Sequence, residues 1–226
     1  MAIKFVKTED LKRCESAIAK GLQTALRSYG RVLWIVPGGS NIPVITSIMN
    51  KISLTDSAKL AIMFSDERYG PVGHPDSNLK QLYDSGFKPK RAMVIPILRP
   101  SVSLETTTSL YAEAASVAFG AANYILAFLG MGPDGHTGGI LPGSPAAKAS
   151  SAWVISYETP EFIRITLTPF ALSHVTEVFV IARGEAKRSA LQLLQAKIQP
   201  IIKQPAQLLK KLPNVVIFND QIGDKL

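Results

Sequence analysis

Short apolar runs that stop abruptly at glycine or at a charged cluster constrain this chain more than any other feature. Val32 to Val36 reads VLWIV and ends at Pro37-Gly38-Gly39. Lys59 to Phe64 runs into Ser65-Asp66-Glu67-Arg68, and Ala122 to Leu129 opens onto a glycine-dense loop from Gly130 to Gly143. Apolar runs of this length, without alternation, suit strands buried on both faces. The segments between them have helical period. Thr8 to Ser28 carries Leu11, Cys14, Ile18, Leu22, Ala25 and Leu26 on one stripe, with Thr8 as the expected N-cap and Gly30 as the stop. Further helices are expected over 42–51, from about Asp76, and over 104–119, 185–195 and 204–212. Further strands are expected at 93–95, 153–156, 162–167, 175–182 and 215–218. Strands alternating with helices predict an α/β fold, a mainly parallel Rossmann-like sheet with helices on both faces. The short segments after residue 150 leave room for a small β appendage. No repeat or linker interrupts the 226 residues, so 1–226 reads as one domain.

Composition removes several function classes. No stretch approaches the roughly 20 apolar residues that span a bilayer, so no membrane role is expected. The start, MAIKFVKTED, lacks the apolar core of a secretory signal. Cys14 is the one cysteine, which excludes an internal disulfide and a cysteine-built metal site. These features predict a cytoplasmic protein. The net charge of +8 suits either a soluble lysine-rich surface or an anionic partner. The basic residues are scattered and Lys210-Lys211 is a short cluster, so no nucleic-acid partner is expected.

Three strand ends carry residues suited to chemistry, where α/β sheets bind ligands. Pro37-Gly38-Gly39-Ser40-Asn41 joins a strand to a helix. Its glycines permit a close backbone approach, and the helix start offers free N–H groups to an anion. The same segment also suits an ordinary turn with Ser40 or Asn41 as N-cap. It lacks the Lys-Ser/Thr ending of a P-loop. In Ser65-Asp66-Glu67-Arg68, Asp66 or Glu67 can orient or exchange a proton while Arg68 stabilises negative charge. The same residues also suit a solvated turn closed by an ion pair. In the third loop, Gly130, Gly132 and Gly135 force the chain path around Asp134 and His136. His136 is one of three histidines, and imidazole exchanges protons near neutral pH, as a general base must.

Six segments taken in order resemble the 6-phosphogluconolactonase family, which belongs to a larger group with the glucosamine-6-phosphate deaminases. They are Val36-Pro37-Gly38-Gly39-Ser40, Phe64 to Arg68, Pro75-Asp76-Ser77-Asn78, Leu129 to Pro142-Gly143, Arg164-Ile165-Thr166-Leu167-Thr168, and Gly184-Glu185-Ala186-Lys187. The resemblance implies hydrolysis of 6-phospho-D-glucono-1,5-lactone, with His136 as base and Asp134, Asp66, Glu67 and Arg68 lining the site. It implies that Ser40, Arg164 and Lys187 hold the phosphate, with Gly38, Gly39, Asn41 and Gly130 in the binding loops. The implied partner is a phosphorylated sugar lactone, and the implied mechanism needs no metal and no organic cofactor. Pro75 to Asn78 reads as a structural segment. Oligomeric state is not legible.

Three positions depart from the family pattern: Asn41 follows Gly-Gly-Ser, Gly138-Gly139 follows Thr137, and Glu158 precedes Arg164 where a lysine is usual. Asn41 is still expected to cap its helix. Glu158 is expected to remove a substrate contact. One rival is a deaminase or aldose–ketose isomerase. Relatives of that kind carry Asp-Glu-Tyr in place of Asp66-Glu67-Arg68 and an extra glutamate where 137–144 holds no acid. Another rival is a non-catalytic sugar-phosphate sensor, which needs the phosphate residues but not His136.

Overall fold

The computed structural model describes residues 3–223. Met1 and Ala2, where the expectation of no secretory signal begins, lie outside the described residues. Ten strands run in chain order: β1 Lys4–Lys7, β2 Val32–Val36, β3 Leu60–Phe64, β4 Asp66–Arg68, β5 Met93–Ile95, β6 Tyr124–Gly130, β7 Val154–Glu158, β8 Ile163–Leu167, β9 Glu177–Ala182 and β10 Val215–Asn219. Seven of them form one sheet in the order β1-β10-β9-β6-β2-β3-β5. Every neighbouring pair in it is parallel. The α/β expectation with a mainly parallel sheet therefore holds. All five residues of β2 are buried, so the central strand is covered on both faces.

The first helix, Leu11–Ser28, buries Cys14, Ile18, Leu22, Ala25 and Leu26 along one stripe. Its cap is Asp10, whose carboxylate accepts from Lys12 N at 2.8 Å, not Thr8 as expected. The reason lies upstream. β1 pairs with β10, and Thr8 N still donates to Asn219 O at 2.7 Å, so the chain is extended through Thr8. The helix expected over 204–212 is instead a run of 3-10 turns, Pro205–Lys211. It is tied to the loop after β6 by Ala206 N donating to Gly135 O at 2.9 Å.

The β appendage is the antiparallel sheet β4-β8-β7. Its apolar residues Val154, Tyr157, Ile165 and Leu167 belong to the same buried cluster as Trp34 of β2. Of the expected loop Ser65–Arg68, residues Asp66–Arg68 are thus a strand. Asp66 pairs with Thr166, Glu67 with Ile165 and Arg68 with Arg164. Only Ser65 separates β3 from β4, so the chain passes directly from the parallel sheet into the small one.

The topology places the site. β2 lies between β3 and β6. The chain leaves β2 toward β3 on one side and leaves β6 toward β9 on the other. The loops after β2 and β6 diverge, and a crevice opens at the carboxyl ends of the strands.

Candidate active site

That crevice is a cleft of about 330 Å³. It brings together Gly38, Gly39, Ser40 and Asn41 after β2, Asp66 and Arg68 of β4, Gly130 at the end of β6 and His136 after it, Arg164 of β8, and Lys187. Asp134 and Glu67 are not on its wall.

The loop after β6 is folded by its own backbone. Gly132 N donates to His136 O at 2.9 Å and Gly135 N to Gly132 O at 3.0 Å. Thr137 Oγ1 donates to Gly130 O at 2.9 Å. Asp134 takes no place on the wall because it faces the histidine. Its Oδ1 accepts from His136 N at 3.0 Å and lies 2.6 Å from His136 Nδ1. A proton on Nδ1, donated to Asp134, leaves Nε2 as the free base and fixes the ring plane. Gly132 is required here: a Cβ on it would stand 2.1 Å from His136 Cε1 and 2.2 Å from Nδ1. Gly132→Ala is expected to push the imidazole aside. Misplacement by about 1 Å costs on the order of 10²-fold in turnover. Steady-state kinetics check this, and wild-type kcat in the alanine variant would contradict it.

The charged wall is unusual. Arg68 and Arg164 are cross-strand partners, and like charges placed opposite one another repel. Arg164 Nη1 lies 3.6 Å from Asp66 Oδ2. Arg68 Nη1 donates to Asp76 O and Asn78 Oδ1, each at 2.9 Å. The Nε atoms of both arginines are buried with no partner among the described residues. Lys187 stands at the turn before the helix Arg188–Ala196, and burial lowers its pKa below the ordinary lysine value while Asp220 opposes that shift. Three cations facing one cleft, one of them partly desolvated, suit an anion.

Asn41 does not cap its helix as expected, since Ile42–Lys51 has no side-chain cap hydrogen bond. Its amide instead faces Gly130: a Cβ there would stand 3.0 Å from Asn41 Nδ2. Ile42 N donates to Gly39 O and residue 43 is proline, so the first loop faces the cleft through residues 37–41. Glu158 is exposed on β7 and does not line the cleft.

Glu67 is a correction to the catalytic set. It is 1% exposed. Oε1 accepts from Asn78 N at 2.6 Å and Arg68 N at 2.8 Å, and Oε2 accepts from Ser77 Oγ at 3.0 Å and Leu79 N at 3.1 Å. It anchors the start of the helix Asn78–Asp84 to β4. Burial pushes its carboxyl up and the four donors pull it down. Glu67→Gln places an amide N–H₂ among donors, which costs about 3 kcal/mol. The expected fall in Tm is roughly 6–12 °C. An unchanged melting curve would contradict this anchoring role.

Asn78 was read from sequence as structural, yet it lines the cleft. Besides holding Arg68, its Nδ2 donates to Asp66 O at 2.8 Å. It packs so closely on the first loop that a Cβ at Gly38 would stand 2.0 Å from Asn78 Oδ1. Gly38 was visible in the sequence as a turn residue, but the side chain that requires it was not. Among the described residues, no group of three or more His, Cys, Asp or Glu is placed to hold a metal ion.

Comparison with known proteins gives the family and the fold. A family model described as glucosamine-6-phosphate isomerases/6-phosphogluconolactonase matches residues 7–217. The 6-phosphogluconolactonase of Neisseria meningitidis serogroup B is 32% identical over 185 residues, covering 76% of this chain and 78% of that protein. The probable 6-phosphogluconolactonase 1 of Arabidopsis thaliana is 28% identical, covering 92% of this chain and 87% of its own. A solved 6-phosphogluconolactonase from Shewanella baltica shares the fold with a TM-score of 0.82 at 21% identity, over 96% of this chain and 98% of the other. The chain belongs to the glucosamine-6-phosphate isomerase/6-phosphogluconolactonase family.

Proposed function

We propose that the chain is a single-domain 6-phosphogluconolactonase that hydrolyses 6-phospho-D-glucono-1,5-lactone to 6-phospho-D-gluconate in the cytoplasm. Among the described residues, no helix is long and apolar enough to cross a membrane. The relatives named above carry the same activity in their names. The observation that carries the reading is His136, held by Asp134 at 2.6 Å, in one cleft with three cations. A base and an anion site in a single cleft suit a neutral reacting carbon attached to a charged handle.

In this reading Ser40, Arg164 and Lys187 bind the phosphate. Arg164 offers a planar fork and Lys187 a point charge. Anchoring the phosphate fixes the distant carbonyl carbon beside His136. Nε2 takes a proton from water, and the oxygen of that water attacks the carbonyl carbon. Negative charge grows on the carbonyl oxygen, faced by Arg68 and the amides at 38–41. When the tetrahedral centre collapses, the ring C–O bond breaks. The imidazolium returns its proton to the leaving ring oxygen, and the ring opens to the acid. Asp134 keeps the imidazole oriented throughout. The segment 137–144 holds no carboxylate, so the second acid that a deaminase uses there has no counterpart.

The test is selectivity. Turnover of the phosphorylated lactone is expected to exceed that of glucono-1,5-lactone by about 10²-fold or more in kcat/KM, the contribution of one or more charge-assisted phosphate bonds. Equal rates on both would remove the sugar-phosphate assignment.

A further inference from the structure

Behind the charged wall lies a residue that neither the cleft nor the mechanism includes. Phe162 sits at the tip of the β7–β8 hairpin, half-buried and off the cleft wall. Its backbone is locked: Thr159 N donates to Phe162 O at 2.8 Å, Thr159 Oγ1 donates to the same oxygen at 2.7 Å, and Phe162 N donates to Thr159 Oγ1 at 3.0 Å. The hairpin tip that carries the ring is thus held in place. Arg68 Cζ stands 5.3 Å from its centroid and Arg164 Cζ 5.8 Å. One aromatic ring lies within cation–π range of two guanidiniums.

This arrangement answers a problem that the strand register creates. Arg68 and Arg164 are paired directly across two antiparallel strands, where like charges destabilise the pair and drive the side chains apart. Asp66 and Asn78 engage one arginine each. Phe162 is the group that both arginines share. Two residues before Arg164, it lies on the same side of the strand as Arg164 and diagonal to Arg68, within the reach of an aromatic side chain.

We propose that Phe162 is a positioning residue, an aromatic platform that holds Arg164 on the substrate's phosphate and Arg68 on its carbonyl end. The proposal rests on the lactonase reading for its substrate. Its mark is that a residue outside the cleft moves both anion binding, through Arg164, and chemistry, through Arg68.

The experiment measures, for wild type, Phe162→Leu and Phe162→Tyr, the calorimetric Kd of 6-phosphogluconate together with kcat on the fresh phosphorylated lactone. Phe162→Leu keeps an apolar side chain and removes the π face. Its Kd is expected to rise roughly three- to tenfold and its kcat to fall by a similar factor. Phe162→Tyr restores both to within about twofold of wild type, because its ring carries the same quadrupole. Melting curves accompany each variant, and Phe162→Met replaces the leucine variant should that one fail to fold. Wild-type Kd and kcat in a folded leucine variant would overturn the proposal, and so would a tyrosine variant as impaired as the leucine one. If wild type binds 6-phosphogluconate but hydrolyses no lactone, the lactonase reading fails and the platform is judged on the Kd ratio alone. If wild type binds no phosphorylated ligand, including inorganic phosphate, the platform falls with it.

Discussion

His136→Ala lowers kcat on the phosphorylated lactone by about 10²–10⁴-fold, the range for loss of a positioned general base. KM stays within about threefold, because a group that acts mainly in the transition state contributes little to ground-state binding. The fold survives the change. His136 has a partly exposed side chain, and its hydrogen bonds run to Asp134 and to the loop backbone. Asp134→Asn gives a smaller loss, since the asparagine keeps the shape but no longer enforces the Nδ1–H tautomer. Steady-state kinetics against the spontaneous rate separate these outcomes. A raised KM with unchanged kcat would make His136 a binding residue and leave the base unassigned.

Arg164→Met raises KM for the phosphorylated lactone by about 10–100-fold. A hydrogen bond to a charged group contributes about 1.5–3 kcal/mol, and each 1.4 kcal/mol is a factor of ten. A second effect acts in the same direction. Asp66 is largely buried and faces Arg164 at 3.6 Å. Without the guanidinium, its carboxylate stands uncompensated beside the incoming phosphate and repels it. Hydrolysis of glucono-1,5-lactone, which has no phosphate, changes little. That contrast distinguishes a phosphate ligand from a residue whose loss simply disorders β8. An equal loss on both lactones would contradict the assignment.

Much of the sheet was legible because its strands are buried on both faces. Such strands appear as uninterrupted apolar runs, as in 32–36 and 124–130, and glycine or proline marks where they stop. The strands that escaped notice lack that signature. β1 is Lys-Phe-Val-Lys with only Phe5 buried, too short to show a period. β4 is Asp-Glu-Arg, a sequence of loop composition. It becomes a strand because β8, about a hundred residues later in the chain, pairs with it. The bond from Thr166 Oγ1 to Ser65 O spans 101 positions.

The site divided along the same line. Gly38, Gly39, Gly130 and His136 stood out by residue type at strand ends, and the topology later placed those ends at one crevice. Arg164 and Lys187 carried no local signal and came from the resemblance alone. Glu67 was assigned to chemistry because a carboxylate beside an arginine suits chemistry. Its actual place follows from the helix start at Ser77–Leu79, which approaches only in three dimensions. Asn78 escaped for the same reason. Its importance lies in what it touches, Gly38, Asp66 and Arg68, and those contacts come from separate segments.

The central claim is that this cleft accelerates opening of a phosphorylated sugar lactone. The most direct measurement follows hydrolysis of freshly generated 6-phosphoglucono-1,5-lactone with and without the wild-type protein, beside a parallel assay of ammonia release from glucosamine 6-phosphate. The account predicts rapid, saturable lactone hydrolysis well above the spontaneous rate and no ammonia release. Lactone decay at the spontaneous rate would contradict it, and ammonia release in the parallel assay would move the chain to the deaminase branch of its family.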